Sequence, residues 1–425
     1  MKKVPLQFKF VFLIFVCFLI TLPAFAIEED VIYLEKETPP QINIKEKIKE
    51  SPTEKLLEQK YLLGDFKGFR TKLQEKGIDI QSYYIIDSFV MRNNSKKSTK
   101  GTYQGLYNLS VELDSEKLNL YKGGKLFMLY QVGNKGVNSM EYLDTYSDMS
   151  SFNPSRSINQ ISELYYEHSF KDDLFNIKIG KQDSNVDFQH LNNGAEFLNL
   201  SFSYIDNTPM PLFPTQQMGV RARLKLPKDI YIQNGFYDGN LKSGSNPKGF
   251  FTGENNYLNM TEVYKLTNFK GKEGKYMFGG WIKTGKYDSF NNSTEHNNYG
   301  FYAGFEQKLT DRFEDKSGGL SAFGQFGYAR NSINAVPYYF GAGLVFKGIT
   351  KRRKEDSVGI AFGWHQFDRQ LHKAESRTAE KVIELFYKIK LTEYLFIQPD
   401  IQYIIKPGGN NKNAFAVGLR SIIVF

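Results

Sequence analysis

The chain has 425 residues, a formal net charge of +9 and a single cysteine. Its 55 basic residues are interleaved with 46 acidic ones, which excludes the clustered basic face of a nucleic-acid binder. One cysteine excludes a disulfide framework or a cysteine-ligated metal, while 15% aromatic residues, 36 glycines and only 14 prolines suit one large sheet.

Residues 1–26 have the layout of a secretory signal peptide. Lys2, Lys3 and Lys9 supply the positive start, 10–22 run almost wholly apolar, and Ala24-Phe25-Ala26 form a small-x-small cleavage site before Ile27. Thirteen apolar residues are short for a bilayer span. Cleavage removes three lysines, no acids and Cys17, so the charge falls from +9 to +6 and no thiol remains. Residues 27–77 read as a periplasmic leader: 27–60 are charged and poor in large apolar groups, and a short helix is expected near 53–73. No Pro/Gly/Ser linker divides the chain after residue 77.

From Ile78 onward the texture becomes short segments of period-two alternation broken by polar turns, the mark of a sheet with unlike faces. Over 102–113, Tyr103, Tyr107, Leu109, Val111 and Leu113 share one face, and Thr102, Gln104, Asn108, Ser110 and Glu112 the other. Over 219–226, Val220, Ala222, Leu224 and Leu226 oppose Arg221, Arg223 and Lys225. Sixteen such segments are expected, near 78–91, 102–114, 125–133, 160–170, 174–182, 218–226, 229–238, 258–266, 275–286, 298–309, 319–329, 336–347, 356–366, 379–391, 394–405 and 414–425.

The connections carry an independent signal. The fourth, sixth and fourteenth are tight (Lys171-Asp172-Asp173, Pro227-Lys228 and Thr392-Glu393). The third, fifth, seventh and thirteenth are long, and the longest covers about 183–217. Long odd loops and short even turns predict an all-β fold: a single transmembrane antiparallel up-and-down β-barrel of about 16 strands over 78–425, with both termini periplasmic. A soluble sandwich would have shorter strands. It would also have little use for runs such as Arg221/Arg223/Lys225, which a wet lumen accommodates.

Five stretches resemble the carbohydrate-selective porins of the OprB type. Gly64-Asp65-Phe66-Lys67-Gly68-Phe69-Arg70 is similar to the family's lead into its first strand, with Phe66 where a Trp is usual. Ile397-Gln398-Pro399-Asp400-Ile401-Gln402-Tyr403-Ile404, followed by Pro407-Gly408, resembles the next-to-last strand, and Gly418-Leu419-Arg420 fits the final one. Phe236-Tyr237-Asp238-Gly239 and Ile179-Gly180-Lys181-Gln182-Asp183 look similar to internal stretches. The resemblance covers 61–425 and implies a sixteen-stranded barrel passing small sugars through the outer membrane. It also implies that Phe425 is read by the barrel assembly machinery while facing lipid. No cofactor is implied.

Catalytic constellations are absent from the sequence. The five histidines show no His-Glu-x-x-His spacing, and there is no Gly-x-Ser-x-Gly elbow or phosphate-cradling Gly-x-x-x-x-Gly-Lys loop. Face assignment gives the candidate pore lining: Glu163, Tyr165 and Glu167 on the fourth segment, Lys178 and Gln182 on the fifth, Arg221, Arg223 and Lys225 on the sixth. Glu384 with Lys388, then Gln398, Asp400 and Gln402, and finally Arg420 complete it. Such groups replace a sugar's hydration, and charged ones set ion preference. Only a few would touch cargo, and Arg221 and Arg223 are the preferred ones. The longest loop holds Phe188, Phe197, Phe202, Tyr204 and Phe213. So apolar a segment is expected to fold against the wall, or else to form a lid or a contact with a neighbouring copy in a homo-oligomer. A size-selective general porin, or a barrel anchoring surface-binding loops, are the competing functions.

Overall fold

The computed structural model describes residues 59–152, 157–241 and 256–425. Its sixteen strands form one closed antiparallel barrel. They are β1 (Ile78–Asn93), β2 (Ser98–Asp114), β3 (Gly124–Asn134), β4 (Ile158–Phe170), β5 (Phe175–Gln182), β6 (Gln217–Leu226), β7 (Ile230–Asp238) and β8 (Tyr257–Phe269). They continue as β9 (Lys272–Asp288), β10 (Thr294–Lys308), β11 (Gly319–Ala329), β12 (Tyr338–Lys347), β13 (Ser357–Gln366), β14 (Ala379–Lys390), β15 (Leu395–Ile405) and β16 (Ala414–Val424). Every expected segment is a strand. Each strand pairs with its sequence neighbours, and β1 closes on β16 from Tyr83↔Val424 to Asn93↔Ala414. Closure leaves no unpaired edge, which is what a sheet needs in lipid.

The alternation read from the sequence is realised face by face. On β2, Tyr103 is 66% exposed while its neighbour Gln104 is 2% exposed. The outer wall carries Phe278, Phe301, Phe305, Phe340, Ile360 and Leu419, all open to lipid. Among the described residues no helix is long and apolar enough to cross a membrane.

Both termini of the barrel and the even connections lie at one end, here the turn end. The tightest turn there is Lys270-Gly271, with φ of 52° and 80°, the two-residue left-handed geometry that matches strand twist. At the other end, the loop end, residues 135–157, 183–216 and 367–378 are long connections, as expected. The first and ninth connections, 94–97 and 289–293, are short. There the strands themselves lengthen: β1, β2, β9 and β10 run 16, 17, 17 and 15 residues.

Of the helix expected near 53–73, residues 53–58 lie outside the described residues; from 60 to 68 the chain runs in bends and turns, and the helix there is α1 (Phe69–Glu75). Gly64, Phe66, Lys67 and Gly68 all have positive φ, so the chain turns before it. Asp65 then accepts from the Thr71 amide at 2.9 Å and its hydroxyl at 2.8 Å. Arg70 of α1 donates to the carbonyl of Phe425 at 2.8 Å, fastening the helix beside the seam. The signal peptide and most of the leader, residues 1–58, lie outside the described residues.

Candidate functional site

The lumen is narrowed from inside. Residues 183–216 fold into the barrel with two single-turn helices, α3 (Asn192–Ala195) and α4 (Leu200–Ser203). Residues 135–152 enter beside them, carrying α2 (Ser139–Leu143). The two segments join through Ser151 N–H to Leu198 O at 2.7 Å and Leu200 N–H to Asp148 O at 2.9 Å.

Backbone led through a packed interior must find partners other than water. The inward side chains of the wall provide them, and most are carboxylates, whose charge makes each bond stronger than a neutral one. Glu384 on β14 accepts from the amides of Leu198 and Asn199 at 2.6 and 2.9 Å. Glu262 on β8 accepts from Gln189 N–H at 2.9 Å, and Glu306 on β10 from Asn193 N–H at 3.0 Å. Glu380 on β14 takes Tyr146 N–H at 2.8 Å. Amides of the wall reach loop carbonyls: Gln402 to Met149 at 2.9 Å, Gln398 to Glu196 at 2.8 Å and Gln325 to Ser201 at 2.7 Å.

The apolar residues of the loop dock where the wall has no side chains. Phe188, Phe197 and Phe202 are fully buried. Burying each contributes roughly 1.5–3 kcal/mol. A Cβ on Gly359 would lie 2.9 Å from the Phe197 ring, and one on Gly327 would lie 2.4 Å from Ile205. A Cβ on Gly235 would approach the Phe188 ring to 2.9 Å. Inward glycines on β7, β11 and β13 therefore form the seat. Pairing glycine in a strand with phenylalanine in a loop needs the register, so sequence alone did not expose it.

At its base the loop is closed by charge. Glu163 accepts from Asp183 N–H at 3.1 Å, and the Asp183 carboxyl accepts from Phe213 N–H at 3.0 Å. Burial pushes the Asp183 carboxyl up to about 6, with the Asp187 charge adding to it. Asp187 is itself buried, yet Lys178 at 2.6 Å and Arg221 at 3.0 Å hold its carboxyl below the usual range. Arg221 also meets Glu167 at 2.9 Å and Asn176.

All the face-assigned candidates do point inward, but they divide by accessibility. Glu163, Lys178, Gln182, Arg221, Glu384, Gln398, Asp400, Gln402 and Arg420 are buried, most of them behind the loop segments or tied to them. Tyr165, Glu167, Arg223, Lys225 and Lys388 keep part of their surface open toward the turn end. There Tyr165 stacks on Phe127 at 5.0 Å, with the Lys178 ammonium 4.5 Å from its centroid. Tyr231 and Tyr264 stack at 4.7 Å with planes 7° apart. Lys275 stands 4.9 Å from the Tyr264 ring and Lys225 5.7 Å from that of Tyr231. Below the loop, a cavity of about 280 Å³ is lined by Asn192, Asn193, Lys275, Glu306 and Lys308. Face assignment missed Tyr231, Tyr264 and Lys275, although each lies two residues from Gln233, Glu262 or Met277 and so on the same face, which was there to be read.

Known proteins carry the same plan. The family model of the carbohydrate-selective porins, OprB family, matches residues 98–425. Porin B of Pseudomonas aeruginosa is 24% identical over 418 residues, covering 86% of this chain and 91% of that protein. The putative porin QuiX of Acinetobacter baylyi is 22% identical over 419 residues, covering 85% and 92%. The high-pH structure of Pseudomonas putida OprB superposes with a TM-score of 0.76 at 21% identity, covering 87% of this chain and 99% of that one. A closed sixteen-strand barrel with a segment folded into its lumen, matched along most of its length by that family, leaves one reading: the chain belongs to the OprB family of carbohydrate-selective porins, outer-membrane channels for passive diffusion of sugars.

Proposed function

We propose that sugars pass beside the infolded loop and are handled on its turn side by an aromatic and cationic strip. The strip comprises Tyr165, Tyr231 and Tyr264 with Glu167, Arg223, Lys225, Lys275 and Lys388. The observation that carries this is the stacked Tyr231–Tyr264 pair, set at 4.7 Å in the lumen wall with Lys275 beside it. A pyranose has one face of C–H bonds and a rim of hydroxyls. The ring faces take the former, and the ammonium and guanidinium donors take the latter. The buried candidates, Arg221 and Glu384 among them, act on sugar only through the loop they hold. Replacing Tyr231 and Tyr264 together by leucine should weaken maltose block of the ion current in planar bilayers while the barrel still folds. Unchanged block would place sugar handling elsewhere.

The ends of the chain fit the same reading. Residues 1–26 are a cleaved signal peptide, and an intact mass beginning at Ile27 tests this. Phe425 shares its outward face with Ile423, Leu419, Val417 and Phe415, and serves as the assembly signal. Its deletion should lower the yield of folded barrel in cells, and unchanged yield would refute the role.

A further inference from the structure

A second cavity sits at the loop end, far from the tyrosine strip. It holds about 420 Å³, within the range of small-molecule sites. The turn between β1 and β2, the inner face of β2, and residues 135–142 enclose it. Lys96, Lys100 and Lys135 converge on it, with Asn138, Glu141 and Tyr142 completing the lining.

The cleft is built rather than incidental. Tyr142 is fixed at both ends: its hydroxyl meets Ser98 Oγ at 2.9 Å, and its carbonyl accepts from Asn93 at 2.7 Å and Lys96 at 2.9 Å. The Lys96 and Lys100 ammoniums stand 5.8 and 5.6 Å from its ring centroid. Gly136 brings the loop backbone against the wall, where a Cβ would meet Thr102 Oγ1 at 2.8 Å. Lys96 is balanced by Asp144 at 3.2 Å. Among the described residues, neither Lys100 nor Lys135 has an ion-pair partner, and Glu141 is the one carboxylate in a lining that holds three lysines, so the cleft carries excess positive charge. An anion placed between Lys100 and Lys135 removes their repulsion.

Lys100 lies on the same face of β2 as Gln104 and Asn108, and its register partner on β1 is the fully buried Met91. The cleft therefore opens inside the mouth, where a solute entering from the loop end passes and a membrane lipid does not. We propose that it is an entry site for an anionic sugar, a monosaccharide bearing a carboxylate or a phosphate. The charged group binds at Lys100 and Lys135, and Asn138 and Glu141 are placed for the hydroxyls. This rests on the chain being a sugar channel and is independent of the tyrosine strip.

The test uses the folded full-length barrel in planar bilayers, with gluconate, glucose 6-phosphate or glucose added at the loop end. Both anions should reduce or modulate the current at least tenfold more potently than glucose, and added salt should erode that advantage. Lys100→Gln with Lys135→Gln should remove the advantage of both anions while leaving the glucose response unchanged. Lys100→Arg with Lys135→Arg should keep it. Equal potency of the anions and glucose in the unmodified channel would overturn the proposal. So would a double variant that keeps the anion advantage, or inorganic phosphate acting as potently as glucose 6-phosphate, since the sugar would then contribute nothing. Replacing Tyr231 and Tyr264 should leave the anion advantage intact, which separates failure of this site from failure of the strip.

Discussion

Asp87 of β1 and Arg420 of β16 hold each other across the closing seam, the guanidinium donating to both carboxylate oxygens at 2.8 Å. They are also register partners in the ladder. Asp87 in addition accepts from Ser150 Oγ at 2.7 Å, so barrel closure and the infolded 135–152 segment share one carboxylate. Arg420→Met would leave Asp87 buried without its cation, at a cost of about 3–5 kcal/mol. Adding Asp87→Leu should recover much of that, because the uncompensated charge is gone. Urea midpoints for unfolding in detergent micelles check both, and a double variant no more stable than the single would refute the pair's role.

Glu384 shows how the wall holds the loop. Glu384→Ala would orphan the amides of Leu198 and Asn199, at about 1–3 kcal/mol for each group left unsatisfied. The loop should leave the wall more often, and single-channel current should become larger and noisier. Glu384→Gln keeps one acceptor oxygen and should fall between. Identical currents in all three forms would mean that these bonds do not hold the loop.

The glycine seat makes a sharper prediction, because it contrasts two glycines. A side chain at Gly359 would start 2.4 Å from the Phe386 ring and 2.9 Å from that of Phe197, so Gly359→Val should push the loop into the lumen. Overpacking of this kind costs about 1–3 kcal/mol. At Gly280, on the lipid face, the nearest atom would be 3.4 Å away, and Gly280→Ala should change neither stability nor conductance. Thermal unfolding and conductance of the two variants decide it.

These examples mark what the sequence could and could not reveal. Strand existence, face and order were legible because period-two alternation survives in nearly every segment, from Tyr103/Gln104 on β2 to Leu419/Arg420 on β16. The infolding of 183–216 was legible from Phe188, Phe197 and Phe202, which have no place in water. Strand ends near 98 and 294 were not, because Ser, Thr, Lys, Glu and Asn there carry no alternation. The role of Glu384 was hidden for a different reason. An inward carboxylate looks the same whether it meets solute or a loop amide, and only the path of the loop distinguishes them. Lys100 and Lys135 belong to segments 35 residues apart, and no spacing rule joins them.

Asp183 gives the loop base a pH response. Its folded value of about 6 lies above the usual 3.8. The fold therefore favours the protonated carboxyl, and this contribution to stability is complete below about pH 4. It is lost as pH rises through about 6. Asp183→Asn retains an acceptor for Phe213 N–H and cannot ionise. Current noise should increase between about pH 4 and 6 in the native channel more than in the variant. Parallel profiles would exclude Asp183 as the group responsible.

The two arginines of β6 separate loop holding from sugar handling. Arg221 is 1% exposed and engaged with Glu167, Asp187 and Asn176, so no solute reaches it in this state. Arg223, two residues on and on the same face, is partly open, and Asp173 at 3.1 Å is its ion-pair partner. Arg221→Ala would leave Asp187 with Lys178 alone and should loosen the loop base, costing several kcal/mol for a broken buried pair. Its signature is a larger, noisier current and a lower unfolding midpoint. Arg223→Ala should leave both nearly unchanged, since a partly exposed pair contributes about 1 kcal/mol or less. It should instead weaken maltose block and shift permeability toward cations, because a cation facing the passage is gone. Reversal potential in a salt gradient and block by titrated maltose measure the two effects. If Arg221→Ala changes selectivity without changing the current, or Arg223→Ala changes neither block nor reversal potential, the division of labour between the two arginines is wrong.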